Sequence, residues 1–584
     1  VREFSGSAVT GQSVSWASSN PSVATVNAAG VVSGISLGTA TITASNSNGL
    51  RTGSTTVTVC PDLGLAVGGV ANLTMPGDAS FCLGGGAAGA EYVVVPVNFA
   101  GADAGLTATA SGIVPVAGAP SPTLLGGGGG PALSASRVSS LRQADAFERR
   151  LRERETAGLT PLIPAAGRAF RTRTAAAGAR RSITPGVPTV GALMPLNVES
   201  SGSCAAPVVR TGRVMAVGAR LIVVADTSNP AGWMGTGDYQ AIADRFDALV
   251  WPTLTASFGA PEDVDGNGRV IAFYTTAVNA LTPGGTAPVT QGYTLRRDLF
   301  FTSSCAGSNE GEMIYLAAAD PAGLVNGNAR SVASVKAAAA PTLGHEMAHL
   351  INASRRLYVN FAPAFEEEWL DEGLAQVAGE LLFHAAAGKQ PRQNLGFAQV
   401  TSDSTARAAF LAYAEPNLAR LRATMLSSEL NGGSGAWALL RYAADRNGGA
   451  ESAFWSALVN STATGYTNFA AALGTAPNPW VRDFHVALYT DDAVPGAAAA
   501  YTVPSWNLRS LYDALDYDGD RLADGYPLAA RNPVDGVPSV ITLAVSGRSY
   551  LRMGVAAGGV GSVTLQSNGA APPSTLMVSV VRRK

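Results

Sequence analysis

Gly344-His345-Glu346-Met347-Ala348-His349-Leu350, followed after a short interval by Trp369-Leu370-Asp371-Glu372-Gly373-Leu374-Ala375, is the stretch from which the rest of the 584-residue chain is best read. Two histidines four apart on a helix share a face, so both imidazoles reach one point in space, and the glutamate next to the first stands beside that point. At about 100° per residue, His349 lies about 40° and Glu346 about 100° from His345, while Leu343, Met347, Leu350 and Ile351 take the opposite side. One face is dry core and the other carries the polar groups. Pro341, just ahead, suits a first-turn position, where its missing N–H costs nothing.

This spacing predicts a zinc site, with Glu346 acting as general base toward the water at the metal's open position. The chain has four histidines in all, so the pattern is a rare coincidence by chance. A third protein ligand is required. Metzincins would place glycine and histidine three and six residues beyond the second histidine, but Asn352 and Arg355 stand there, which excludes that class. The other route is a glutamate on a following helix, within Glu366-Glu367-Glu368-Trp369-Leu370-Asp371-Glu372. There Leu370, Leu374, Val377 and Leu381 form an apolar stripe with Glu372 nearly opposite. Glu368 shares that face one turn earlier, so the wheel leaves both open; Glu367 lies towards the stripe.

On these residues the chain resembles the gluzincin clan, and specifically the hyicolysin-type neutral metallopeptidases of secreted bacterial proteins. The likeness extends to Phe258-Gly259-Ala260-Pro261-Glu262-Asp263-Val264-Asp265-Gly266-Asn267-Gly268, Asn279-Ala280-Leu281-Thr282-Pro283 and Ser308-Asn309-Glu310-Gly311-Glu312-Met313. The resemblance implies one zinc per chain, Glu372 as its third ligand and hydrolysis of peptide bonds in a protein or peptide substrate. Relatives of the clan often place a tyrosine before a Gly-Ala helix, where this chain has Ser434-Gly435-Ala436. Tyr442, His485 and Tyr489 are then the candidates for the oxyanion donor, and Gln376, one turn after Glu372, for a partner to a ligand.

Composition bounds the partners. A net charge of −2, a pI near 6.2 and 14% charged residues favour neither nucleic acid nor an anionic membrane, and no apolar run reaches the roughly 20 residues of a membrane span. The expectation is a secreted monomer. Val1 opens without an initiator Met or signal peptide, so the chain reads as an interior fragment whose export signal lies upstream or has been removed. Cys60, Cys82, Cys204 and Cys305 lack Cys-x-x-Cys spacing; of three possible connectivities, Cys60–Cys82 and Cys204–Cys305 is the expected one, against buried free thiols.

Strand and turn signals divide the chain into five parts. Residues 1–60 resemble a bacterial Ig-like module of group 2, entered after its first strand, and 61–120 form a small β domain. Residues 121–190 are a linker with a glycine run at 126–130, one helix over 144–157 and an arginine-rich end with Arg168, Arg171, Arg173, Arg180 and Arg181. Residues 191–500 make an α+β gluzincin-like peptidase domain, a mixed-sheet half followed by a helical half with the metal in the cleft between them, and 501–584 a small C-terminal β domain. Asp263, Asp265 and Asn267 alternate as in a calcium loop, although Tyr274 replaces the closing glutamate; Asp516, Asp518, Asp520 and Asp524 make a second acidic group. For both, a solvated turn is the competing reading. Two other functions stay open: a catalytically silent adhesion protein keeping the peptidase fold, and a zinc hydrolase of another amide, such as a cell-wall crosslink.

Overall fold

The structure, a computed structural model, describes residues 13–36, 38–46, 49, 51–116, 133–179, 186–205, 207–230, 234–285, 290–427, 435–515 and 526–584. The glycine run 126–130, Arg180, Arg181, Ser434 and the acidic group of Asp516, Asp518, Asp520 and Asp524 lie outside these residues. Among the described residues no helix is long and apolar enough to cross a membrane. The chain divides into two compact units, residues 1–122, 485–501 and 529–584 in one and residues 123–484 and 502–528 in the other.

The first unit is all β apart from short helical segments. β1 (Val14–Ser18), β2 (Ala24–Val26), β3 (Val32–Gly34), β4 (Gly38–Asn46) and β5 (Thr52–Val59) give an antiparallel sheet in the order β1-β4-β5 and a separate β2-β3 hairpin, over a small core of Val23, Ala24 and Ala40. β6 (Val70–Leu73), β7 (Ser80–Gly84), β8 (Ala90–Asn98) and β9 (Ala104–Ser111) follow. Cys82 on β7 is bonded to Cys60.

The second unit opens with helices α1 (Leu133–Leu159) and α2 (Ile163–Ala179). Its sheet holds β10 (Leu193–Asn197), β11 (Val209–Val217), β12 (Leu221–Asp226), β13 (Val270–Thr275), β14 (Gly292–Thr294) and β15 (Met313–Ala317), in the order β10-β11-β12-β13-β15-β14. β12, β13 and β15 run parallel, and β14 lies antiparallel to β15 at one edge. The unbroken apolar runs of β12 and β13 fit this central placement, where both faces are covered and every residue is buried. Helices α3 (Thr236–Arg245), α4 (Trp251–Phe258), α5 (Thr276–Asn279), α6 (Val332–Tyr358) and α7 (Glu368–Ala387) interleave with and follow the strands. Cys204 and Cys305 are joined within this unit.

Three sequence expectations need correction. α6 starts at Val332 behind an Ser331 N-cap, so Pro341 sits inside the helix and deprives the Ala337 carbonyl of its usual donor. The region expected to hold one helix over 144–157 holds two, α1 and α2, and Leu151 of α1 is fully buried in the core of the sheet, with Phe147 packed against it. The charges of α1 hid this, since Arg152 pairs with Glu148 at 3.2 Å and with Glu155 at 2.7 Å, which lets a charged face go inside. Finally, β16 (Ser539–Leu543), β17 (Leu551–Val555), β18 (Val560–Gln566) and β19 (Leu576–Arg582) build no separate domain. They alternate with the earlier strands in two antiparallel sheets, β16-β9-β18-β7 and β17-β8-β19-β6, around Phe81, Tyr92, Val94, Leu106, Leu551, Val563 and Val578. Neither set of four strands could bury its apolar face alone, and together they close one sandwich.

Candidate active site

α6 and α7 cross closely enough to bring their polar faces together, which Gly344 permits, while Gly373 lets the helix Ala436–Asn447 pack closely on α7. A Cβ on Gly344 would strike Leu382 of α7, and one on Gly373 would come within 2.9 Å of Leu440 and 3.1 Å of Ala436. These glycines flank His345 and Glu372 in the sequence, so the tight packing sits where the polar groups converge.

His345, His349 and Glu372 meet with their donor atoms within 4.8 Å of one another. His349 Nε2 lies 3.3 Å from His345 Nε2 and 3.3 Å from Glu372 Oε1, and His345 Nε2 lies 3.7 Å from Glu372 Oε2. Ligands about 2.0–2.1 Å from a tetrahedral zinc ion stand about 3.3–3.4 Å apart, so the spacing fits that ion. Two nitrogens and a carboxylate oxygen are also the donor set zinc prefers in sites with an open position. Glu372 Oε1 and Glu346 Oε2 are buried without a hydrogen-bond donor, which leaves both carboxylates with capacity directed at the cluster. Glu368 shares the helix face of Glu372 but does not join the donor set.

Behind the histidines lies a support that sequence reading passed over. Asp371 Oδ2 is 2.9 Å from His349 Nδ1 and accepts from Arg296 Nη2 at 2.7 Å, while Asp371 Oδ1 accepts from Asn352 Nδ2 at 2.6 Å. With Nδ1–H committed to Asp371, His349 in its neutral form carries the lone pair on Nε2, the nitrogen that faces the cluster. Asp371 belongs to the Trp-Leu-Asp-Glu-Gly motif, one residue before Glu372, and its side chain was the available signal.

The electrostatics follow from burial and pairing. Burial lowers His345 to about 3, keeping its imidazole neutral and its lone pair free. His349 is held up at about 10 because Asp371 and Glu372 outweigh the opposing effect of burial. Burial pushes Asp371 upward, but His349 and Arg296 hold it well below the usual carboxylate range, and His349 does the same for Glu372 against its own burial. Glu346 goes the other way: burial raises it to about 7, only partly countered by His349 and Arg152.

The cluster opens into a cleft of about 680 Å³. Thr290, Gln291 and Gly292 from the edge of the sheet form one part of its lining, and Pro341, Thr342, His345 and Glu346 of α6 another. Asp145, Phe147 and Glu148 of α1 line it too, as do Gln376, Leu411, Tyr413 and Arg420. Leu411 and Tyr413 belong to a π-helical turn, Phe410–Ala414, of the kind that often widens a helix beside a site. Arg420 donates from Nε to Asp145 Oδ1 at 3.0 Å.

Other expected site residues fall elsewhere. Gln376 lines the cleft, but Tyr442, His485 and Tyr489 do not. Tyr442 is buried against Phe484 and its hydroxyl accepts from Arg446 at 2.8 Å. His485 and Tyr489 belong to the first unit, where Tyr489 stacks on Tyr550 and the Tyr550 hydroxyl donates to the His485 carbonyl at 2.7 Å. Of the calcium-loop triplet, Asp263 and Asp265 converge, but Asn267 points its amide at Asp265 and its side-chain oxygen accepts from the Arg269 N–H. Glu312 takes the third place.

Comparison with known proteins gives two findings. Residues 3–59 match the family model of the bacterial Ig-like domain (group 2). Over 140 residues, 24% of this chain, the sequence is 31% identical to the neutral metalloprotease ShpI of Staphylococcus hyicus. That match takes in 29% of the Staphylococcus protein, so the chain is similar to less than a third of it.

Proposed function

We propose that the chain is a secreted zinc endopeptidase of the gluzincin, hyicolysin-like type, cutting peptide bonds in protein or peptide substrates. The observation that carries this reading is the tetrahedral spacing of His345, His349 and Glu372, with Glu346 beside them and Asp371 behind. The partial likeness to a neutral metalloprotease supports the same class. Two disulfides support an oxidising compartment, and the Ig-like match supports a spacer that holds the enzyme at a surface.

His345, His349 and Glu372 would hold one zinc ion, which when bound supplies Lewis-acid polarisation of a water and of the scissile carbonyl. Glu346 takes the proton from the attacking water and returns it to the departing amine. Asp371 keeps His349 in one tautomer and orientation. Among the described residues edge strand β14 is paired as a strand only with β15, which supports an extended substrate backbone adding alongside it while its side chains enter the cleft.

The test is zinc content by mass spectrometry of the purified protein beside casein or gelatin digestion with and without chelator, and a cell-wall digest in parallel. One zinc per chain and chelator-sensitive proteolysis is the expected result. Proteolysis persisting after verified zinc removal rejects the reading; zinc without proteolysis favours the silent adhesion protein, and cell-wall cleavage alone favours another amide.

A further inference from the structure

We propose that Asp263, Asp265 and Glu312 form a calcium site that clamps the loop before β13 to the start of β15. Their carboxylate oxygens lie within 4.8 Å of one another. Glu312 is the observation that points to a cation. It is 2% exposed, its Oε1 accepts from the Val264 N–H at 2.8 Å, and its Oε2 is buried with no hydrogen-bond donor. A buried carboxylate with an idle oxygen facing two more carboxylates is unfavourable unless a positive charge completes the group.

The donors are all hard oxygens, which suits calcium or magnesium over zinc. Calcium is the better match. It accepts irregular geometry and completes its shell with water, and here Asp263 is exposed and Asp265 half-buried on the open side, while the ligands come from a turn and a strand end. The turn itself is set without the ion: Asp263 accepts from the Gly268 N–H at 3.1 Å, and Gly266 and Gly268 take φ values of 76° and 69° that only glycine adopts easily.

The clamp acts on the catalytic helix at one remove. Next to Asp263, the Glu262 N–H donates to Ser354 Oγ at 2.8 Å, and Arg355 Nη1 donates to the Ala260 carbonyl at 2.7 Å, both on the later turns of α6. On the other side, the Ile271 N–H donates to the Glu312 carbonyl at 2.7 Å, joining β13 to the start of β15.

The experiment uses the full chain, stripped of metals on a chelating resin, reloaded with one equivalent of zinc and then titrated with calcium chloride by calorimetry and thermal unfolding. One calcium per chain and a Tm that rises by several degrees with calcium concentration are expected. Glu312→Gln should weaken calcium binding at least tenfold while leaving the calcium-free Tm unchanged or higher, because it removes the crowded buried charge. Asp265→Asn, at a half-buried position that tolerates substitution better, should also lose the calcium response. The proposal is overturned if neither heat nor a Tm shift develops up to about 10 mM calcium, beyond the range of weak extracellular sites. It is equally overturned if both variants respond like the parent, or if magnesium matches calcium.

Discussion

Two clusters in the second unit, both proposed above as cation sites, differ in how their donors are brought together. His345, His349 and Glu372 come from two consecutive helices, α6 and α7, and each helix places its own donors by local periodicity. Asp263, Asp265 and Glu312 come from a turn and a strand start that meet only because β13 and β15 pair in parallel register, Ile271 opposite Met313. The first cluster is backed by a buried network through Asp371, and each cluster leaves a buried carboxylate oxygen without a hydrogen-bond donor. A site whose geometry is local can be read in a sequence, whereas one that depends on strand register cannot.

Five experiments break or sharpen this contrast. The largest effect is expected from Glu372→Ala, which should remove zinc and activity together, while Glu368→Ala keeps zinc; stoichiometry after dialysis decides, and the reverse result would require the register of α7 to be redrawn. Next, Glu346→Gln should retain zinc and lower kcat by about 10²–10⁴-fold, the usual contribution of a general base. Near-normal turnover would mean that another group moves the proton. Asp371→Asn should weaken zinc binding by about 10–100-fold in competition with a chelator of known affinity, since it disturbs the His349 tautomer without removing a ligand.

The last two are smaller and concern the scaffold. Gly344→Ala should destabilise by about 1–3 kcal/mol in urea unfolding by forcing Leu382 away, and Leu382→Ala in the same chain should recover part of the loss. Asp298 is the control, a buried carboxylate already satisfied by the Tyr315 hydroxyl at 2.7 Å and the Asn309 N–H at 2.9 Å. Burial raises it to about 6 against the pull of Arg297. The folded state therefore keeps a proton that the unfolded chain has lost between about pH 4 and 6, so this group's stabilising contribution falls as pH rises through that window and is flat above it. Asp298→Asn should flatten that slope in urea titrations from pH 4 to 7; an unchanged slope would show that Asp298 is ionised throughout.

Much of the candidate site was legible because the residues that matter are polar groups at helical spacing with apolar residues behind them. His345, Glu346, His349 and Glu372 all belong to that pattern. What escaped has a common cause. Arg152, Glu148 and Glu155 look like a solvated face because one sequence position carries no information on where its counter-charge lies, yet all three are buried. Tyr442, His485 and Tyr489 were attractive by chemistry, but whether an aromatic or imidazole reaches a cleft is decided by helix packing. Glu312 stood in a quoted motif without a role, because its partners lie across a strand pairing.

The interleaved sandwich has a consequence in time. β6–β9 leave the ribosome about 400 residues before their partners β16–β19, an interval of about 20–80 s at ordinary rates of synthesis. During it their apolar face has nothing to cover it, and the strand edges that will later pair are open to any other chain. A stop codon near residue 540 would therefore be felt most at residues 70–111, as an orphaned half-sheet and a source of aggregates, although it deletes none of them.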